Sequence, residues 1–175
     1  MLDQLTGELA TAGIQVSATA GVPGYDIAIG VPQTWLEDTD HDFSPPYTRL
    51  WVGGPDTVDH SFMANALLTY LRFDGTEKIE QAFVTRCVTD TARRLSGWTE
   101  SAFESTDCRG VLTETVTGTW DDAVTGKLFI KSTAASVHIP DPDGNPVYFL
   151  AHLTVSGPSS QSADLSQISL AMTPA

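Results

Sequence analysis

Basic residues are scarce in this sequence, and none of them form a cluster. Nine Lys and Arg stand against 22 Asp and Glu, which gives a formal net charge of −13 at pH 7. A protein that binds nucleic acid must neutralise phosphates with Lys and Arg, so this balance counts strongly against nucleic-acid binding. An anionic membrane surface would repel the chain as well. The ordinary consequence of such acidity is solubility.

Long apolar runs are also missing. No stretch approaches the 18 or so consecutive apolar residues of a membrane-spanning helix. The first residues, MLDQLTGELATAG, lack the basic region and apolar core of a signal peptide. We therefore expect any export signal or lipid anchor to depend on residues outside this numbering. The 175 residues, of which 41% are hydrophobic, suit one domain with its own core.

The sequence also lacks the common catalytic and metal-binding motifs. There is no G-x-S-x-G, no glycine-rich phosphate loop and no cysteine or histidine pair at zinc spacing. His41 and His60 lie in acidic loops, whereas His138 and His152 flank the turn DPDGNP on successive strands. Those two could approach each other across a hairpin, but ordinary strand-face histidines are the more common case. A triad assembled from distant positions stays open, although nothing favours one. We therefore expect no enzyme, no cofactor and no metal.

What the chain does contain is a series of short alternating segments. Period-two alternation predicts strands over 25–31, 47–53, the later part of 63–73, 99–107, 109–120, 127–139 and 147–155. The last four are joined by short turns, of which Asp143-Gly144 is a strong hairpin signal, so they are expected to form an antiparallel meander. The acidic, proline-containing segment 36–46 is predicted to be a loop. The apolar segment 165–172 has no assigned type.

One segment, residues 77–98, has the pattern of a long amphipathic helix. Asp74 and Glu77 have the spacing of a capping box, and Gly97 is expected to end the helix. Two neighbouring apolar ridges run along it, formed by Ile79, Phe83 and Cys87 and by Val84, Val88, Ala92 and Leu95. The sequence therefore predicts an α+β fold, in which this helix covers one face of a curved antiparallel meander sheet.

The only two cysteines are Cys87, on the apolar face of that helix, and Cys108, between the first two strands of the meander. They are either two free thiols or one disulfide. A bridge would close a loop of roughly 20 residues and stabilise the fold by about 3 kcal/mol in the chain-entropy model. It would be sensible only outside the cytoplasm. Of the two readings, we favour a disulfide that ties the helix to the sheet.

The four tryptophans, Trp35, Trp51, Trp98 and Trp120, lie near predicted strand ends. Filling the space between sheet and helix is the more common role for such residues. The alternative is that they line a concave apolar pocket suited to an acyl chain or another small hydrophobic ligand.

The order of these elements resembles a known family. YDIAIGVPQTW gives a strand, a proline and a tryptophan, and the main helix ends in LSGW before the meander. This pattern is similar to the LpqN/LpqT family of actinobacterial (mycobacterial) lipoproteins, whose fold is PsbP-like. The resemblance covers residues 22 to 174 as a single domain, and residues 1–21 are assigned to an N-terminal extension with a short helix. There is no lipobox cysteine in the sequence.

The resemblance implies a non-enzymatic, membrane-associated protein of the extracytoplasmic cell envelope or periplasm. Such a protein would bind an envelope membrane-protein complex, such as an MmpL-type transporter, or a lipid-like ligand, and would serve envelope lipid transport or complex assembly. That setting is oxidising enough for a Cys87–Cys108 disulfide. Two alternatives from other classes stay open. One is a small α+β hydrolase or isomerase that uses one of the histidines, and the other is a structural subunit of a larger assembly.

Overall fold

A large antiparallel sheet dominates the computed structural model, which describes residues 9–10, 13–39, 48–53, 63–75 and 79–175. Ten strands are described. They are β1 (Ile14–Ala18), β2 (Tyr25–Gly30), β3 (Leu36–Asp38), β4 (Arg49–Val52), β5 (Asn65–Gly75), β6 (Trp98–Cys108), β7 (Val111–Asp122), β8 (Gly126–His138), β9 (Val147–Pro158) and β10 (Ser169–Pro174). The α-helices with defined bounds are α1 (Gln81–Thr89) and α2 (Ser162–Ser166), residues 9–10 are also helical, and short 3-10 helices span Ala92–Arg94 and Ser159–Gln161.

Eight of the strands form one sheet: seven follow the order β3-β4-β5-β9-β8-β7-β6, and β1 joins it by pairing with β5. The predicted meander is confirmed, because β6, β7, β8 and β9 are antiparallel neighbours in chain order. β1 shares one edge of β5 with β4: β4 pairs with the first residues of β5 and β1 with the last. Residues 14–18, within the segment assigned to an extension, thus contribute a strand to the sheet. The short helix predicted within the N-terminal extension, at residues 2–12 of the segment 1–21, lies largely outside the described residues, of which 9 and 10 are helical.

The sheet is covered on both faces by different elements. One face, here called the small-sheet face, packs against α2 and against a separate two-stranded sheet formed by β2 and β10. The core on that side includes Leu68, Phe149, Leu153, Leu165 and Met172. Its helix face packs against α1, and Phe73, Val84, Val88 and Leu150 form a second core there. Because strand side chains alternate between faces, odd-numbered residues of β9 serve the first core and even-numbered ones the second.

The helix is much shorter than the sequence pattern predicts. α1 has nine residues, and a separate 3-10 turn, Ala92–Arg94, follows it before β6 begins. The predicted capping box is wrong, because Asp74 ends up in β5 and pairs with Arg72, while Glu80 precedes α1 without a side-chain cap. The physical reason for the early end lies in the threonines. The hydroxyls of Thr89 and Thr91 donate to carbonyls three or four residues back, which competes with the regular helix ladder.

Two further segments differ from the sequence prediction. The acidic segment 36–46 is predicted to be a loop, but its first three residues form β3, which pairs with β4. A bidentate ion pair between Arg49 and Glu37 (2.6 and 2.8 Å) holds the two strands together. The apolar segment near the C-terminus includes the end of α2 and then β10, whose antiparallel partner is β2. Neither element could be read from periodicity, because β3 is three residues long and β10 pairs with a strand about 140 residues away in sequence.

Candidate functional site

The predicted disulfide is not confirmed, because no bond joins Cys87 and Cys108 in the structure. The arrangement of the faces explains why. Cys87 packs into the core beneath α1, on the helix face. Cys108 pairs directly with Val111, whose side chain belongs to the core of the small-sheet face. The two thiols therefore lie on opposite sides of the sheet.

The four tryptophans form two separate pairs on opposite faces. Trp35 and Trp51 pack into the core of the small-sheet face. Trp98 and Trp120 are cross-strand partners, and the register with β8 puts them on the helix face, at the end where β6 begins. The indole N–H of Trp120 donates to the carbonyl of Ser96 at 2.9 Å. One pocket lined by all four is therefore not formed, and a ligand-binding role for either pair stays a prediction.

The two described histidines do not come together either. His138 pairs with Tyr148 and stacks on its ring at 5.0 Å between centroids, whereas His152 pairs with Ala134. Four residue positions along the hairpin separate them. Across the described residues, no group of three or more His, Cys, Asp or Glu side chains is placed to hold a metal ion. His41 and His60 lie outside the described residues.

His152 instead belongs to a polar cluster at the centre of the helix face. Its Nε2 lies 2.8 Å from the Ser132 hydroxyl and 3.3 Å from the Thr154 hydroxyl. Strand β5 adds Thr69, which is directly opposite His152, and Asn65. The side-chain amide oxygen of Asn65 accepts a hydrogen bond from the Ser156 hydroxyl at 3.1 Å. Alternation along β5, β8 and β9 puts all these side chains on one face. We call these six residues the polar cluster: Asn65, Thr69, Ser132, His152, Thr154 and Ser156.

The histidine of this cluster is neutral at physiological pH. Desolvation lowers the pKa of His152 to about 4 from its ordinary 6.5. A neutral imidazole next to hydroxyls can donate or accept hydrogen bonds, but it is a weak general base at pH 7. Its hydroxyl neighbour Ser132 is buried, so this pair does not have the accessible nucleophile that acyl transfer needs. The cluster is therefore suited to holding uncharged polar groups.

Apolar side chains continue the same face towards the β3 edge. Register puts Leu36, Val52, Asn65 and Ser156 in one cross-strand row, and Leu50, Leu67, Thr154 and Ser132 in the next row. Leu36 is 69% exposed at the end of its row. α1 lies over β7, β8 and β9 on this face. Outside that cover, the helix face is amphipathic: its centre is polar and its β3 edge is apolar.

Under α1 itself lies a buried carboxylate that the sequence does not reveal. Glu114 on β7 is 1% exposed, and its Oε1 accepts from Arg86 at 3.0 Å, while its Oε2 has no hydrogen-bond partner in the described structure. The same side of α1 is fixed by polar contacts, since Gln81 donates to the Ser136 carbonyl at 2.7 Å and the Thr85 and Ser136 hydroxyls lie 2.6 Å apart. These contacts hold α1 on the sheet by specific geometry as well as by apolar packing.

A cleft of about 390 Å³ opens at the far end of the sheet, lined by Asp74, Gly75, Asp141, Asn145 and Val147. The Asp141 carboxylate already accepts from the backbone N–H groups of Asp143 and Asn145 and from the Asn145 amide. These bonds shape the predicted DPDGNP hairpin turn. The cleft has two acidic side chains, Asp74 and Asp141. Because these bonds occupy Asp141 and Asp74 is paired with Arg72, the cleft offers little to a cation.

Comparisons with known proteins agree on one family. No curated protein matches the chain. The crystal structure of LpqN involved in cell envelope biogenesis of Mycobacterium tuberculosis matches with a TM-score of 0.66 and 17% identity over 95% of each chain, which establishes a shared fold. A model of the family Lpp-LpqN, described as probable lipoprotein LpqN, matches residues 8–172. This confirms the resemblance read from the sequence. Because the match takes in far more than half of its length, the chain belongs to the Lpp-LpqN family.

Proposed function

We propose that this protein is a non-enzymatic accessory protein of the cell envelope, which binds a lipid-like ligand and docks on a membrane-protein complex. Family membership supports an envelope lipoprotein, and the structurally similar LpqN is a protein involved in cell envelope biogenesis. The proposed location is extracytoplasmic. No helix within the described ranges is long and apolar enough to cross a membrane.

The observation that carries the ligand-binding part is the amphipathic half of the helix face. A lipid has an apolar chain and a polar head, and its binding site needs both kinds of surface side by side. The half-buried members of the polar cluster, such as Asn65, Thr154 and Ser156, offer neutral donors and acceptors, and the row ending in Leu36 offers apolar contact area. Because His152 is neutral, the cluster would favour an uncharged head over a phosphate.

The test compares lipid occupancy of matched variants. The full-length protein is purified from its own host and examined by native mass spectrometry. Leu36→Lys puts a charge at the exposed end of the apolar row and is expected to lower lipid occupancy several-fold. Val124→Lys, at a still more exposed apolar residue in the turn after β7, is the matched control and should keep full occupancy. Wild-type protein without bound lipid, or equal occupancy in both variants, would overturn the proposed ligand role.

A further inference from the structure

The free edge of β6 is the longest unprotected strand edge in the described part of the chain. β6 has 11 residues and ends the strand order of the large sheet, paired on one side only, with β7. Every residue from Thr99 to Cys108 is exposed. An edge strand presents a row of unpaired backbone N–H and C=O groups, which can accept another strand.

Protection of this edge is confined to one end. The bulge lies between Glu100 and Ala102, next to the start of the strand. From Ala102 to Cys108 the pairing with β7 is regular, and this stretch contains no proline and no lysine, two residues that commonly blunt edges. About seven residues of regular edge are enough for one added strand of ordinary length.

The charges of the edge select the kind of strand it can take. Glu100 is already paired with Arg93 at 2.6 Å, whereas Glu104 and Asp107 form no ion pair within the described residues, and Glu104 has only a longer-range electrostatic interaction with Lys131. A second copy of this chain would bring the same carboxylates against them, so self-pairing is disfavoured. Phe103, 41% exposed with Arg93 stacked 5.2 Å from its ring centre, adds an apolar contact on the helix face.

We propose that residues 102–108 of β6 form a docking edge that adds one extended segment of a partner protein, and that this segment carries Lys or Arg at two positions three residues apart, because the register puts Asp107 on the helix face and Glu104 on the small-sheet face. Backbone hydrogen bonds give the affinity, and ion pairs with Glu104 and Asp107 give the selectivity for a basic segment. The inference rests on the proposed docking role and is independent of lipid binding on the amphipathic half of the helix face. It names the surface and the chemistry of the partner segment.

The probe is a synthetic peptide of about nine residues, in which two Lys stand three residues apart among Val and Thr, and its counterpart has Glu in place of Lys. Binding to the whole protein is followed by NMR, at about 50 mM salt and again at higher salt, because ion pairs of exposed groups weaken with screening. The Lys peptide should bind and the Glu peptide should not. Amide exchange of residues 102–108 should slow on binding, which a loose electrostatic encounter would not cause.

Variants make the test specific. Glu104→Lys together with Asp107→Lys should weaken binding of the Lys peptide about tenfold and admit the Glu peptide. Asp143→Lys, an exposed acidic residue in the turn before β9, is the control and should bind like the wild type. Equal binding by both variants, protection at another strand, no binding of the Lys peptide, or dimerisation of the protein through β6 would each overturn the proposal. None of these results bears on the lipid occupancy test, so the two proposals can fail separately.

Discussion

Gly118 gives the sharpest test of how the helix face is packed around Trp98. Gly118 lies in β7, opposite the bulge of β6, and the Trp98 ring covers it. A Cβ added at this position would lie 2.6 Å from Cη2 and Cζ2 of Trp98, and closer still to the Thr99 carbonyl oxygen. The ring could turn away, but the carbonyl belongs to the β6 backbone and can move only if the strand moves.

The expected effect of Gly118→Ala follows from two opposing contributions. In a strand, alanine normally stabilises by about 0.5–1 kcal/mol relative to glycine, because the unfolded chain has less freedom to lose. Overpacking costs about 1–3 kcal/mol, and the fixed backbone atom puts this site at the upper end. The net expectation is a destabilisation of about 2 kcal/mol, equivalent to a fall in Tm of about 4–8 °C for a chain of this size.

The assay is urea unfolding followed by circular dichroism, with the free energy of unfolding obtained by linear extrapolation. Gly30→Ala in β2 is the matched control, because its new Cβ would come close only to the Ser169 hydroxyl, at 2.7 Å, which can rotate away, while the Ser169 Cβ and backbone nitrogen stay at an ordinary 4.0 Å. The control should be neutral or slightly stabilised. If Gly118→Ala is as stable as the control or the wild type, the close packing of Trp98 on β7 is wrong.

Three further predictions concern buried polar groups. Arg86→Met should lower the free energy of unfolding by about 2–3 kcal/mol, because it leaves the Glu114 carboxylate buried without its partner. Adding Glu114→Gln should restore most of that loss. A double-mutant cycle in urea measures both effects, and an Arg86→Met variant as stable as the wild type would refute the argument. The folded-state pKa of His152, about 4, lies below the ordinary 6.5, so the unfolded state binds its proton first, and stability should fall by about 3 kcal/mol as the pH drops from 6.5 to 4. His152→Gln should lack this part of the pH dependence, and identical profiles would contradict the assignment. Lys131→Met removes hydrogen bonds of 2.7 and 2.9 Å to the backbone carbonyls of Ser166 and Ile168 at the end of α2. It should lower the free energy of unfolding by about 1–2 kcal/mol and speed amide exchange of that segment. Unchanged exchange would show that the lysine does not hold the segment.

Three features of the candidate site could not be predicted from the sequence: the burial of Glu114, the polar cluster and the separation of the two cysteines. Glu114 has the same alternating polar context as its half-buried neighbours, and only the placement of α1 over β7 buries it. The polar cluster depends on the register between β5, β8 and β9, which sequence spacing does not give. The cysteine pairing failed for a related reason: the spacing allowed a bridge, but the alternation of β6 turned Cys108 to the face opposite Cys87.

The sequence by itself determined the local features of this protein. Alternation and turn residues specified the four-strand meander, because each hairpin is a short-range structure that its own residues encode. The strand, proline, tryptophan and terminal LSGW elements were sufficient to indicate the family. Tertiary structure alone decided how β1 and β10 find distant partners and which side chains share a face. Those outcomes depend on contacts between residues far apart in the chain, which no local pattern records.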